Sequence, residues 1–470
     1  MPPLARPSRP RLWALLLTAL AISVLYDVEV KRNLKLVYEF TLYRPINRDA
    51  PPDYTEMREW ESRLPQHDTE LPFPEGKTGR YVLFANSRAH QAGWNNKLNE
   101  MLFNTWLAHD SNRAYVFHDF IWEKTHYPWR TPANASNPLT PLTALVAGPS
   151  AGAPWDAGDS APRAVTEVYF DLVCPKHTRR VINTRDVKPR LRHADGSVIF
   201  DAWRRLLSEA PERCIEIEAA TPEEDAFPET FDIYFWSGRR SVSLWDAFKD
   251  APVSRLLRTS PTVQAAVDAN AHLFQPARPH TNTRANPLES VFSIHVRRGD
   301  FKQACLEHAA LNSTFYNWNL LPFLPDKFDP PPPPPGITLL KGTNTPENEA
   351  AFLARCLPFP EAIAHKVREA RREYREHTGH RLDVLYIMSN DGTTWLDALK
   401  ETLRADGWNR IVTSRDLRLT AQQKDVGVAV DMDIGRQSAV FIGNGWSSFT
   451  SNVVHRRLID GKEPISIRFW

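Results

Sequence analysis

Two arginines and a histidine follow an apolar segment in the C-terminal half of the chain. The sequence His295-Val-Arg297-Arg298-Gly-Asp300 comes directly after the strand-like residues 291–294. A guanidinium group offers a rigid fork of donors that matches phosphate oxygens, and it stays charged at physiological pH. Charged side chains at the end of a buried strand are costly unless they meet an opposite charge. The pattern therefore predicts an anion site, with a structural salt bridge to Asp300 as the alternative. If the strand persists, Arg298 points away from Arg297 and matters more for folding.

A second group of polar residues follows the apolar segment 439–442. Gly-Asn-Gly-Trp leads there into Ser447, Ser448, Phe449 and Thr450, a pattern that predicts a turn and a helix start. The first backbone N–H groups of a helix lack intrahelical partners and, helped by hydroxyl side chains, bind phosphate without a metal. Such a turn is common in α/β proteins, and the arginine motif makes it a specific phosphate-site prediction.

A third segment, Gly93-Trp-Asn-Asn96, lies between a predicted strand at Tyr81–Phe84 and apolar residues at helical spacing. Together the three segments resemble those of the GDP-fucose protein O-fucosyltransferase family, and more broadly the GDP-fucose-dependent fucosyltransferases of GT-B fold. His295-Val-Arg-Arg-Gly-Asp-Phe301 looks like the family's H-x-R-R-G-D-F segment. The stretch 433–450 is similar to its C-terminal nucleotide-binding segment, and the Gly93 turn is similar to the turn that opens its first domain.

The resemblance implies a GDP-fucose donor and an acceptor that is a protein Ser/Thr hydroxyl or a glycan hydroxyl. Arg297 is the expected catalytic residue and holds the β-phosphate. His295 lies near the nucleotide, Asp433 contacts guanine, and Gly93 and Asn96 contact the substrate. The nucleotide-binding residues that the resemblance implies are His295, Arg298, Asp433, Ser447, Ser448 and Phe449.

Fucosyl transfer makes two chemical demands. Breaking the fucosyl–phosphate bond develops negative charge on departing GDP, which preorganised donors such as Arg297 stabilise. An inverting transfer also needs a base for the acceptor hydroxyl, ordinarily a carboxylate. Some family members carry a glutamate directly before the glycine of the turn, where this chain has Ala92, so base and acceptor stay open. The available carboxylates are Glu100, Asp119, Asp300 and Asp391.

Two alternatives to a metal-independent transferase follow from the same residues. The substitution at Ala92 is compatible with a catalytically inactive pseudo-transferase that binds nucleotide or glycan. Asp431-Met-Asp433 has the D-x-D form by which GT-A transferases hold a metal ion and a sugar nucleotide. Such a motif should directly end an apolar strand, whereas here the main strand begins after it, at Ala439. We therefore expect no metal and no other cofactor.

Strands and helices alternate around these motifs. Open α/β sheets bind ligands at the carboxyl ends of their strands, and parallel strands need helical crossovers. The sequence thus predicts an α/β fold of two Rossmann-like domains facing a central cleft, and the resemblance implies that this fold is GT-B-like. The predicted strands are Tyr81–Phe84, Ala114–Phe117, 291–294, 384–388, 411–412 and 439–442.

The predicted organisation has four parts and two insertions. A surface loop is expected over 131–163 and a Pro-rich insertion over about 306–356, with six consecutive prolines at 330–335. The parts are a cytosolic tail and signal-anchor at 1–30, a stem at 31–78, an N-terminal acceptor-side domain at 79–285 and a C-terminal GDP-fucose-binding domain at 286–470.

The N-terminus indicates the secretory pathway. Arg6, Arg9 and Arg11 precede an uncharged apolar run over 12–26, which predicts a retained signal-anchor, with cleavage after Ala21 as the alternative. Basic residues stay cytosolic, so the rest of the chain is expected in the lumen, as a single-pass type II protein of the ER or Golgi membrane. Acceptor sequences for N-glycosylation at Asn134 and Asn312 fit that placement.

The cysteines and the net charge limit which bonds, metals and partners the chain is expected to have. Four cysteines can pair in the lumen, and the nearer pairs, Cys174 with Cys214 and Cys305 with Cys356, are expected, with the two other connectivities open. Their spacing does not suggest structural zinc. A net charge of +2 over 470 residues does not indicate a nucleic-acid partner.

Overall fold

The computed structural model describes residues 50–275, 286–332 and 344–470. Residues Pro51–Trp470 form one compact unit, which is called the second unit below. The predicted cytosolic tail and signal-anchor lie outside the described residues. Within the described ranges, no helix is long and apolar enough to span a membrane.

Strands in the second unit are short and mostly buried. They are β1 (Tyr81–Phe84), β2 (Ala114–Phe117), β3 (Phe120–Ile121), β4 (Leu139–Thr140), β5 (Val146–Ala147), β6 (Val165–Thr166), β7 (Arg180–Asn183), β8 (Cys214–Glu218), β9 (Arg258–Thr259), β10 (Val291–Val296), β11 (Val384–Ser389), β12 (Arg410–Thr413), β13 (Val440–Gly443) and β14 (Ile467–Phe469).

Helices connect and cover these strands. They are α1 (Thr55–Ser62), α2 (Trp94–Asp110), α3 (Leu142–Leu145), α4 (Glu167–Val173), α5 (Gly196–Glu209), α6 (Ile233–Trp236), α7 (Trp245–Asp250), α8 (Pro252–Arg255), α9 (Pro261–Asn270), α10 (Phe301–Ala310), α11 (Pro346–Cys356), α12 (Pro360–Thr378), α13 (Thr394–Ala405), α14 (Ala421–Asp425), α15 (Gly427–Gln437) and α16 (Ser448–Ile459).

Two five-stranded parallel sheets form the framework. The first has the order β6-β2-β1-β8-β7 and the second β12-β11-β10-β13-β14. Every residue of β1, β2 and β10 is buried, as expected for parallel strands that helices cover on both faces. The α/β prediction with two Rossmann-like sheets is therefore confirmed.

Alternation along β10 decides which way its last side chains point. Phe292, Ile294 and Val296 pack into the cluster that contains residues of α12 and α13. Val291 belongs to the other cluster, with residues of α15 and α16. Since successive side chains of a strand point to opposite faces, His295 faces α16.

Three segments that the sequence predicts as stem, surface loop and Pro-rich insertion contain buried residues. The stem does not extend to residue 78, because Tyr54 is buried and its hydroxyl donates to Asp425 at 2.7 Å. The segment 131–163 is not only a surface loop, since all four residues of α3 are buried. The Pro-rich insertion contributes Phe315, Tyr316, Trp318, Leu321 and Leu324 to the core. In each case the apolar residues are scattered among prolines and polar residues, so the sequence has no periodic pattern that would predict their burial.

Both expected disulfides are present. Cys174 pairs with Cys214 beside the first sheet, and Cys305 pairs with Cys356, which joins α10 to α11. The described residues include no free cysteine. The second disulfide closes the segment whose core residues lie next to the C-terminal strands.

Arg457 of α16 fixes the turn between α15 and β13. Its guanidinium is fully buried and donates to the carbonyls of Gly435, Ser438, Ala439 and Ser466 at 2.6 to 3.1 Å. Burial lowers its pKa to about 9, which still leaves it charged at neutral pH. Three carbonyls at this turn and one directly before β14 therefore depend on a single cation.

Arg457→Met should destabilise the fold, because several buried carbonyls lose a charged donor at once. We expect a loss of about 3 kcal/mol or more in the free energy of unfolding, measured by urea titration. Arg404→Met, on the exposed face of α13, is the matched control and should change little. Equal stability of the two variants would contradict this account.

Candidate active site

His295 lies buried at the end of β10, against the first turn of α16. Its ring centroid is 4.4 Å from that of Phe449, and its Nδ1 lies 3.2 Å from Thr450 Oγ1. Burial, helped by the nearby charge of Arg297, lowers the pKa of His295 to about 3. The imidazole is therefore neutral at physiological pH and joins the arginine motif to the α16 turn.

Arg297 directly follows β10, and its charge acts on His295. Its Nη2 donates to Asp300 Oδ2 at 2.6 Å, and the other carboxylate oxygen of Asp300 accepts from Asn390 Nδ2 at 2.8 Å. The side chains of Arg297 and Asp300 are 32% and 51% exposed. The salt bridge anticipated as a structural alternative is thus present. Its exposure makes it weak, so an anionic ligand can replace Asp300 as the partner.

Arg298 has different surroundings. Its guanidinium stacks 4.1 Å above the ring of Trp395, and Nη1 donates to the carbonyls of Leu357 and Pro358 at 3.3 and 3.4 Å. Its backbone N–H donates to Asn390 Oδ1 at 2.9 Å. These contacts stabilise the turn after β10, in agreement with the expected role of Arg298 in folding. A nucleotide role for Arg298 stays a prediction.

The turn before α16 is held closely against its neighbours. Asn444 Oδ1 accepts from the N–H of Trp446 at 3.0 Å, and Asn444 Nδ2 donates to the carbonyl of Cys356 at 2.7 Å. A Cβ on Gly445 would lie 2.3 Å from the Phe315 ring, so only glycine fits there. The hydroxyl of Ser447 makes no capping hydrogen bond. The turn leads from β13, which pairs with β10, into Ser447, Ser448 and the first N–H groups of α16.

Asp431 and Asp433 are on α15, not at a strand end. Asp431 accepts from the Tyr386 hydroxyl at 2.5 Å and from Ser414 at 2.8 Å. Asp433 accepts from three side chains, Thr259 Oγ1 at 2.5 Å, Gln437 Nε2 at 2.6 Å and Arg436 Nη1 at 3.1 Å. Residues two apart on a helix do not face each other, so the two carboxylates point to different neighbours. The guanine contact predicted for Asp433 stays a prediction.

The Gly93 turn starts α2 and contacts the C-terminal half. Gly93 is the N-cap residue, and Asn96 Oδ1 accepts from the Tyr316 hydroxyl at 3.2 Å. Asn99 Nδ2 donates to the same hydroxyl at 3.3 Å, while the N–H of Tyr316 donates to the carbonyl of Gly445 at 2.9 Å. Asn452 of α16 also donates to the carbonyl of Asn95 at 2.9 Å. All three motifs therefore meet in one region.

The four candidate carboxylates differ in what holds them. Asp300 is shared by Arg297 and Asn390, and Asp391 accepts from the backbone and hydroxyl of Thr393. Asp119 forms an ion pair with Arg58 at 2.5 Å. Glu100 alone among them has a buried oxygen, Oε1, without a partner, while its Oε2 accepts from Lys97 at 3.1 Å. Burial raises the pKa of Glu100 to about 7, against the opposing effect of Lys97.

Two residues of the site were not predicted from the sequence. Tyr316 lies in the segment interpreted as an insertion, and Asn390 follows the predicted strand 384–388. Asn390 brackets the turn by donating to the carbonyl of Arg298 at 3.0 Å and accepting from its N–H. A polar residue after the neighbouring parallel strand was the available clue.

No family model and no curated protein matches the chain. Among solved structures, POFUT1 in complex with GDP-fucose aligns at 15% identity and a TM-score of 0.46, over 80% of this chain and 94% of that chain. NodZ alpha-1,6-fucosyltransferase soaked with GDP-fucose aligns at 10% identity and a TM-score of 0.36, over 80% and 91%. A mutant of Arabidopsis thaliana FUT1 in complex with GDP aligns at 10% identity and a TM-score of 0.34, over 89% and 81%.

His295→Asn should weaken the acid sensitivity of the fold. The pKa of His295 is lowered from an unfolded value near 6.5 to about 3, so its contribution to stability is full above pH 6.5 and is lost as pH falls. One such histidine adds a slope of about 1.4 kcal/mol per pH unit between those values. Urea unfolding from pH 4 to 6 should show that slope reduced in His295→Asn.

The exposed residue His380 supplies the control. His380→Asn should leave the pH slope of stability unchanged. Identical slopes for the wild type and His295→Asn would mean that the imidazole takes up its proton in the folded state.

Proposed function

We propose that the chain is a fucosyltransferase that transfers fucose from GDP-fucose to an acceptor hydroxyl by a metal-independent, inverting mechanism. The observation that carries this proposal is the meeting of Arg297, neutral His295 and the start of α16 at the ends of the adjacent strands β10 and β13. A diphosphate can bind to a permanently charged guanidinium and to the free N–H groups at the start of a helix.

Arg297 acts on the leaving group. As the bond between fucose C1 and the phosphate oxygen breaks, its electron pair leaves with GDP, and the guanidinium fork stabilises the growing charge on the β-phosphate. When GDP-fucose binds, its phosphate replaces Asp300 as the partner of Arg297, so the guanidinium is paired both before and after binding. His295, being neutral, adds no second charge and keeps Phe449 and Thr450 at the phosphate end.

Metal independence is supported by the surroundings of Asp431 and Asp433. Both carboxylates are occupied by protein donors, and they diverge on α15. A metal held by both would have to break those contacts. GT-A-type use of this pair is therefore disfavoured.

Donor choice is tested by GDP release from the purified chain without acceptor, across a panel of GDP- and UDP-sugars. We expect slow release from GDP-fucose and much less from the others. Tight GDP-fucose binding without any release, with or without acceptors, would favour the pseudo-transferase. Equal release from UDP-sugars would overturn the donor assignment.

Arg297→Ala should lower the transfer rate by about 10²- to 10³-fold, as expected for one preorganised donor, with little change in stability. Arg297→Lys should not restore the rate, because an ammonium lacks the planar fork. Lys302→Ala, an exposed cation on α10, is the matched control. Turnover of Arg297→Ala near that of the wild type would refute the mechanism.

We also propose the lumen of the ER or Golgi as the compartment, with a single-pass type II anchor. The two disulfides and the basic-flanked apolar run over 12–26 support this placement. The chain should stay with membranes during carbonate extraction. A soluble chain that begins near Ile22 would show a cleaved signal instead.

A further inference from the structure

A separate cavity lies at the carboxyl ends of β1 and β2. It has a volume of about 240 Å³, between the loop after β1 and one face of α2. Trp94, Tyr115 and Phe120 form aromatic parts of its wall, and Glu100 and Asn104 are polar parts. The mechanism proposed for the donor leaves this cavity without a role.

Three side chains of α2 bring unpartnered polar atoms to the cavity wall. Glu100 Oε1, both amide atoms of Asn104 and the indole N–H of Trp94 make no hydrogen bond. The three residues are 3%, 1% and 5% exposed. Buried polar groups are nearly always paired, so this concentration on one helix face points to a ligand that pairs them.

Spacing along α2 defines what that ligand must carry. Trp94 and Asn104 are ten residues apart, about 15 Å along a helix, so one hydroxyl cannot reach both. The ligand needs several donors and acceptors and an apolar face for the aromatic wall. A sugar ring has both properties. The hydroxyl of a Ser or Thr sits one carbon from its backbone, so a protein acceptor would have to bring its main chain into the cavity.

Glu100 also lies close to the region where the motifs meet. It is one helical turn beyond Asn96. Burial, with a smaller contribution from the charge of Glu100, raises the pKa of Tyr316, the residue that contacts Asn96 and Gly445. The cavity wall and the contacts of Tyr316 thus share the helix α2.

We infer that this cavity binds the terminal sugar of a glycan acceptor and that Glu100 accepts the proton of its reacting hydroxyl. This inference rests on the proposed function. The acceptor oxygen forms a bond to fucose C1 as the C1–phosphate bond breaks. The hydroxyl proton moves to Glu100 Oε1 and passes later to solvent, and the electron pair leaves on GDP.

The charged groups around Glu100 suit this role. Lys97 donates to Glu100 Oε2 and also lies 3.6 Å from Glu229. The charge of Lys188 lowers the pKa of Glu100 slightly from a greater distance. The other titratable groups that line the cavity are Arg88, His90, Tyr115, His118 and Asp119. Since the pKa of Glu100 is raised to about 7, transfer should increase from pH 6 to pH 8 as the carboxylate forms.

Saturation-transfer NMR on the full chain with GDP tests the site directly. The probes are methyl glycosides of common hexoses, N-acetylhexosamines and pentoses, together with Ser- and Thr-containing peptides. At least one glycoside should bind, Asn104→Leu should weaken it about tenfold or more, and the peptides should not compete. Glu100→Gln should lower the transfer rate to that glycoside at pH 7.5 by about 100-fold or more and abolish the rise between pH 6 and 8.

Glu229→Gln is the matched control, since Glu229 shares Lys97 with Glu100 but does not line the cavity. It should keep glycoside binding and the rise of the rate with pH, with the midpoint moved to lower pH, because the charge of Glu229 helps to raise the pKa of Glu100. GDP affinity within twofold of the wild type would show that each variant folds. Peptide binding without glycoside binding, or glycoside binding unaffected by Asn104→Leu, would overturn the inference alone. If the wild type does not bind GDP-fucose, the proposed function is refuted instead.

Discussion

Tyr316 sets the position of one half of the site relative to the other. Its N–H donates to the carbonyl of Gly445 in the α16 turn, and its hydroxyl contacts Asn96 and Asn99 on α2. Because these groups are buried, each would be costly to leave unpaired. One residue therefore couples the turn that follows β13 to the helix that follows β1, and Asn452 adds a further contact between the halves through the carbonyl of Asn95.

Tight packing behind the α16 turn makes this coupling rigid. Gly445 has no room for a Cβ against Phe315, and Asn444 holds the carbonyl of Cys356, whose disulfide fixes α10 to α11. Arg457 holds the turn at the other end of β13. A helix start can serve an anion only if its N–H groups keep their direction, and these contacts determine that direction without using the N–H groups themselves.

The sequence indicated strands and their ends better than side-chain partners. Continuous apolar runs such as β10 and β13 are buried on both faces, so their pattern was clear, and their adjacency put His295 beside Phe449. In contrast, Thr259 meets Asp433 from 174 positions away, and no local pattern predicts that pairing. The role of Tyr316 was hidden for another reason, because the nearby proline tract made its whole segment look peripheral.

The position of Ala92 relates the cavity to the Gly93 turn. Ala92 lines the same cavity as Glu100, although eight positions and the start of α2 separate them. A carboxylate placed directly before the turn would therefore face the same space that Glu100 now faces. Under the proposed mechanism a buried carboxylate at that space can act as the base from either position. Since α2 is held by Tyr316, Glu100 in the second turn of α2 lies on an element whose place relative to the α16 turn is fixed.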